Sequence, residues 1–194
     1  MKIILSLVIV LYLSGCGATF TASKDIDPET NFNEGIVLVS FDQDYSVIKW
    51  MYRNLNSGKG AKGVTENFIT TTDSFNDLII VNNRIIYPFK LKPGKYEFFR
   101  WTLPEVYSGY YASKDDFSIT FKVLPGKVTY IGNIFMQVQD EKYGSEEKKE
   151  KLAYSIGVRN DKSKDVPEFL KAYINVSPEE VVENIAKFNE LTVR

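Results

Sequence analysis

Short segments in which apolar and polar residues alternate recur through the middle of the chain, and this period of two constrains the fold more than any other feature. In residues 47–54, Ile48, Trp50 and Tyr52 share one face while Lys49 and Arg53 occupy the other. Ile85, Tyr87, Phe89 and Leu91 repeat the pattern, as do Phe117, Ile119, Phe121 and Val123, and then Leu152, Tyr154, Ile156 and Val158. Successive side chains of a strand point to opposite faces, so such segments read as half-buried antiparallel strands. The run Gly35-Ile36-Val37-Leu38-Val39-Ser40-Phe41 is almost continuously apolar and suits a strand covered on both faces. Turn chemistry agrees. Asn82-Asn83 tolerates the left-handed backbone of a tight hairpin, and Pro93-Gly94 and Pro125-Gly126 are matched turn signals between apolar strands.

The period changes near the C-terminus. Ser177-Pro178-Glu179-Glu180 has the form of a capping box with Pro at the first helical position. Val181, Val182, Ile185 and Phe188 then fall on one helical stripe. A shorter helix is expected over 166–173, opened by Asp165. Both helices are expected to flank the sheet.

The N-terminus supplies an address. Lys2 precedes an apolar run, residues 3–13, which Ser6 alone interrupts. A spanning helix needs about 20 apolar residues, so this run reads as a secretion signal. Leu13-Ser14-Gly15-Cys16 follows it directly and resembles the lipobox of bacterial lipoprotein precursors. The resemblance implies acyl chains on the Cys16 sulfur and cleavage before it. Two or three chains on one residue hold a protein durably at a membrane, whereas one holds it marginally. Gly17 stands where an Asp would signal inner-membrane retention. The resemblance therefore implies the outer membrane, facing the periplasm, for a Gram-negative source. Residues 17–33 are small and polar and read as a flexible tether.

Composition removes several chemistries. Basic and acidic residues balance at 24 against 25, which gives no cationic excess for nucleic acid. Cys16 is the only Cys and there is no His. Ser-His-Asp and Cys-His catalysis, the common zinc sites and a His general base are thereby excluded. With 13 Phe and 12 Tyr, a core without disulfides is affordable. No cofactor and no metal is implied. The Gly/Lys-rich residues 56–63 lack the G-x-x-x-x-G-K-[ST] frame, and the acidic residues of 139–151 lack a calcium-loop frame. The first reads as a mobile hairpin loop, the second as a solvated hairpin loop or a short exposed helix.

Residues 101–116 are the one stretch with ligand-binding character. Trp101, Tyr107, Tyr110 and Tyr111 stand beside Glu105, Asp115 and Asp116 in a segment punctuated by Pro104 and Gly109. Loop aromatics stack on sugars, carboxylates accept their hydroxyls, and loops carry function more often than scaffolds do. The four aromatics are the candidate contacts for an envelope polymer or partner protein. A paired-carboxylate hydrolase is the alternative use of the same loop.

Phe121-Lys122-Val123-Leu124-Pro125-Gly126-Lys127-Val128-Thr129-Tyr130-Ile131-Gly132, preceded by Pro93-Gly94-Lys95-Tyr96, is similar to the core of uncharacterised bacterial lipoproteins. These form a domain-of-unknown-function group with an immunoglobulin- or prealbumin-like sandwich. The resemblance spans about residues 35–160, implies that fold, and carries no catalytic residue. The expected organisation is a signal peptide at 1–15, lipidated Cys16 and tether at 16–33, an all-β sandwich at 34–160 and a helical appendage at 161–194. The expected function is a lipid-anchored, non-catalytic binding or structural module of the envelope. An accessory subunit of an envelope complex and an envelope hydrolase are the alternatives.

Overall fold

The computed structural model describes residues 21–28, 32–42, 48–56, 66–70, 78–105, 109–113, 117–139 and 153–189. Side chains of 103–105, 109–112, 138–139, 153–154 and 189 lie outside the description. The strands are β1 (Gly35–Asp42), β2 (Lys49–Asn54), β3 (Asn67–Thr70), β4 (Ile79–Val81), β5 (Arg84–Leu91) and β6 (Gly94–Glu105). They continue with β7 (Gly109–Ala112), β8 (Ser118–Val123), β9 (Val128–Gln139) and β10 (Ala153–Arg159). Helix α1 (Lys162–Ala172) and a single 3-10 turn (Pro178–Glu180) follow, then β11 (Val181–Glu183) and β12 (Lys187–Asn189).

Two sheets form. One runs β10-β9-β1-β5-β4, with β11 also on β9; the other runs β12-β8-β6-β2-β3, with β7 on β6. Neighbours are antiparallel except for β1 and β11, which both lie parallel to β9. The sheets face each other across an aromatic core. Trp50 stacks on Phe41 at 5.3 Å between ring centres and meets Phe98 and Phe117 edge-on. The alternating residues Ile48, Trp50, Tyr52, Tyr87, Phe89, Ile119, Phe121 and Val123 all point inward here, as their period demands.

Strand β1 is buried on both faces, as its composition requires. Val37, Val39 and Phe41 enter the core between the sheets, while Ile36 and Leu38 enter a second core on the outer face. That second core is roofed by α1, through Val166, Phe169 and Tyr173, and closed by Val176 and Val181. Phe169 and Tyr173 stack one helical turn apart, 4.5 Å between centres.

A bulge in β9 sorts its residues between the two cores. Its register against β1 shifts between Leu38 and Val39, from Tyr130 to Gly132. Gly132 takes φ +108, and a β-carbon there would lie 2.9 Å from Val158 Cγ1. The extra residue sends Ile131 and Ile134 both inward and turns Asn133 to the outer face beside Ser40.

The turns follow their chemistry in part. Asn82 and Asn83 have φ of 50° and 58°, and Gly126 has φ +59. Pro93-Gly94 is different, because Gly94 already belongs to β6 and has no positive φ.

The expected pair of helices is corrected to one. Helix α1 begins one turn earlier than expected and carries Pro167 inside it. The capping box forms, with Glu180 Oε2 accepting from the Ser177 amide at 2.6 Å, but its helix stops after one 3-10 turn. Val181 and Val182 instead pair with Val128 and Thr129. β-branched residues favour a strand where a partner edge is open, and β9 offers one beside β10. The chain then crosses to the other sheet, where Phe188 pairs with Ile119 and packs into the inter-sheet core.

Part of the segment expected to be a tether, residues 21–26, lies against the first sheet. Thr21 bridges Phe89, the Ala22 amide donates to Pro88 O at 2.7 Å, and the Tyr173 hydroxyl donates to Ala22 O at 2.7 Å. Ala22 is 1% exposed and Ile26 packs against the same outer core.

Candidate functional site

Among the described residues, the largest concentration of buried polar groups lies where α1 meets the outer face of the first sheet. Ser40 of β1, Arg84 of β5, Tyr130 and Asn133 of β9 and Asp165 of α1 converge there. Asp165 is 1% exposed. Its Oδ2 accepts from Ser40 Oγ at 2.6 Å and from the Tyr130 hydroxyl at 2.7 Å, and its Oδ1 accepts from Arg84 Nη1 at 2.7 Å. Asn133 Nδ2 donates to Ser40 Oγ at 2.9 Å and to Asp42 Oδ1 at 3.2 Å. Arg84 also reaches Asp161 at 2.7 Å, and Arg159 bridges Asp161 and Asp42. Lys164 lies 3.3 Å from Asp161. Three cations thus face three carboxylates.

The electrostatics follow from this packing. Burial pushes the Tyr130 hydroxyl upward, and its hydrogen bond to the Asp165 carboxylate pushes it further. Burial works against the Arg84 charge, but the hydrogen bond to Asp165 and the fields of Asp165, Asp161 and Asp42 raise its pKa overall. For Asp161, burial acts to raise the pKa, and Lys164, Arg84 and Arg159 outweigh it and hold the carboxyl below its usual range.

Asp161 therefore gives the fold a pH dependence of definite sign. Its charged form stabilises the folded chain above the ordinary Asp value of about 4. That contribution is lost as pH falls through the lower folded value. Asp161→Asn is expected to be less stable than wild type near neutral pH and to converge with it in strong acid. Urea unfolding across pH checks this, and a gap that persists unchanged into strong acid contradicts it.

Two clefts flank the helix. One of about 450 Å³ lies between α1 and the β4–β5 hairpin, lined by Asn82, Arg84, Lys164 and Glu168 among others. A shallower one of about 490 Å³ lies on the other side, lined by Asn160, Lys162, Val166 and Glu183. Asp165 contributes to the wall of the first, yet both its oxygens are already occupied by donors. A carboxylate holding three donors away from water is a brace for the helix, because removing it would leave those donors unpaired. Glu97 on β6 repeats the device, 1% exposed, between Arg53 Nε at 2.6 Å and Ser118 Oγ at 2.7 Å. Among the described residues no group of three or more His, Cys, Asp or Glu is arranged to hold a metal ion.

Of the four residues expected to meet a ligand, Trp101 alone has a described side chain. Trp101 is 1% exposed, pairs in register with Trp50 and belongs to the inter-sheet core, which corrects its assignment as a contact. The backbone of Tyr110 and Tyr111 forms β7, opposite Pro104 and Leu103 of β6. Tyr107 lies outside the described residues, as do Asp115, Asp116, most of the Gly/Lys-rich loop, most of the acidic loop and Cys16. Among the described residues no helix is long and apolar enough to cross a membrane.

No local pattern points to the Asp165 cluster; the one signal is Ser40, a lone polar residue within the apolar run of residues 36–41. Compared with known proteins, no family profile, no curated protein and no solved structure matches this chain.

Proposed function

We propose that this chain is a lipid-anchored protein of the bacterial cell envelope, a non-catalytic binding or structural module held at a membrane by acyl chains on Cys16. The observation that carries the reading is the apolar run of residues 3–13 ending in Leu13-Ser14-Gly15-Cys16. In the same reading the sandwich is of the immunoglobulin or prealbumin kind found in uncharacterised bacterial lipoproteins. Gly17 supports the outer membrane, facing the periplasm, in a Gram-negative source. The buried carboxylates support a non-catalytic role, since Asp165 and Glu97 are both committed to bracing the fold. In this reading ligand contact falls to Tyr107, Tyr110 and Tyr111.

Labelling cells with a palmitate analogue tests the anchor. Wild type is expected to carry the label and to sediment with membranes, and Cys16→Ala is expected to lose both. Equal labelling of the two, or a mature N-terminus at Met1, would overturn the reading.

A further inference from the structure

We propose that the end of the sandwich bearing Phe32 and Ile174 rests on the phospholipid surface into which Cys16 is anchored. This rests on the lipidation proposed above and adds an orientation to it.

The argument starts from the docked segment. Thr21 and Ala22 are held on the sheet by the bridge to Phe89 and the two hydrogen bonds of the Ala22 backbone. Only Gly17, Ala18, Thr19 and Phe20 separate Cys16 from that point. At about 3.3–3.6 Å per residue, the five steps from Cys16 to Thr21 reach no more than about 18 Å. Bilayer thickness with and without headgroups differs by roughly 10–15 Å, so the leash spends about 6 Å crossing one headgroup layer. Thr21 is then held within roughly 12 Å of the membrane surface. An eight-residue strand such as β1 is about 26 Å long. The body is thus longer than its leash, and the residues around Thr21 face the bilayer.

Those residues are identified by their contacts. The Tyr173 hydroxyl holds Ala22 O, and the Asn175 side chain reaches Asp25 O at 3.5 Å, which places Ile174 at this end. Ile26 and Pro28 lie against Gly35 and Lys90. A β-carbon on Gly126 would meet the Phe32 ring at 3.2 Å and Pro28 O at 3.4 Å, which places Phe32 here as well. Ile174 is 83% exposed and Phe32 73%, and the third exposed large hydrophobic among the described residues, Ile80, is 46% exposed. A single exposed apolar residue is ordinary. Two of the most exposed, both at the end the leash pulls down, fit an interface that accepts apolar side chains. Lys90 and Glu34 line the same cleft as Ile26 and Pro28, while Lys24, Asp25 and Asp27 adjoin that segment in the chain and Lys127 follows Gly126. The mixed charge assigns the contact to insertion of Phe32 and Ile174 rather than to attraction for anionic lipid.

The test uses the mature, lipid-bearing chain in phosphatidylethanolamine/phosphatidylglycerol vesicles. Acylation blocks the Cys16 sulfur, so Phe32→Cys, Ile174→Cys or Ser163→Cys, each made singly, accepts a fluorophore cleanly. Ser163 is exposed at the opposite end of α1, about 14 Å along the helix axis from Ala172. Quenching by spin-labelled phospholipid is expected to be several-fold stronger at positions 32 and 174 than at 163. A flexible Gly/Ser spacer inserted after Gly17 is expected to reduce the quenching at both. Equal quenching at all three positions on protein of confirmed lipidated mass overturns the orientation while leaving the anchor intact. Quenching at 32 and 174 that ignores the spacer overturns the leash as its cause. A wild-type mass without lipid overturns the anchor, and the orientation with it.

Discussion

Asp165→Ala is expected to destabilise the fold by about 3–5 kcal/mol, the range for breaking a buried charge pair by removing one partner. The size follows from what is left behind. Arg84 is 13% exposed and would keep its charge with only Asp161 and Asp42 beside it. Ser40 and Tyr130 would each lose the acceptor of a buried hydroxyl. An orphaned buried donor costs about 1–3 kcal/mol. Asp165→Asn keeps the shape and one acceptor oxygen, so a smaller loss is expected. Urea unfolding on a Cys16→Ala background measures both without interference from the anchor. A loss below about 1 kcal/mol for Asp165→Ala would mean that the polar cluster does not hold α1. Because α1 also roofs Ile36, Leu38 and Val128, its release is expected to expose the second core as well.

Trp101→Ala is expected to cost a further 3–5 kcal/mol or so, the scale of an aromatic deleted from a packed core. The indole is 1% exposed and lies in the inter-sheet core with Trp50, Phe98 and Phe117. The combined variant Tyr107→Ala/Tyr110→Ala/Tyr111→Ala separates core from contact. If these tyrosines meet an envelope polymer, retention on purified peptidoglycan falls while the unfolding midpoint stays near wild type. If stability falls by several kcal/mol instead, the tyrosines are packing residues and the loop is no site. A Trp101→Ala chain with unchanged stability would return Trp101 to the contact list.

The docked N-terminal segment also moves the practical boundary of the domain. A chain beginning near Asn33 would lack Ala22 and Ile26, both of which pack on the second core. A chain beginning at Thr21 keeps them. The polar, small composition of residues 17–33 hid this, because Ala22 is held by backbone hydrogen bonds that any residue type can make.

What the sequence by itself determined is local. Alternation at Trp50 and Tyr52, at Tyr87 and Phe89, and at Ile119 and Phe121 assigned each strand its buried face, since a period of two is a property of the strand alone. The apolar run through Val39 announced a strand covered twice, and Asn82-Asn83 announced its hairpin by backbone preference. Tertiary structure decided the rest. The partners of Asp165 lie 125, 81 and 35 residues away, and no local pattern encodes such distances. Val181 and Val182 satisfy a helical stripe and a strand equally well on paper. The open edge of β9 made the strand the better bargain, because a ladder to Val128 and Thr129 satisfies their backbone and buries Val181 at once.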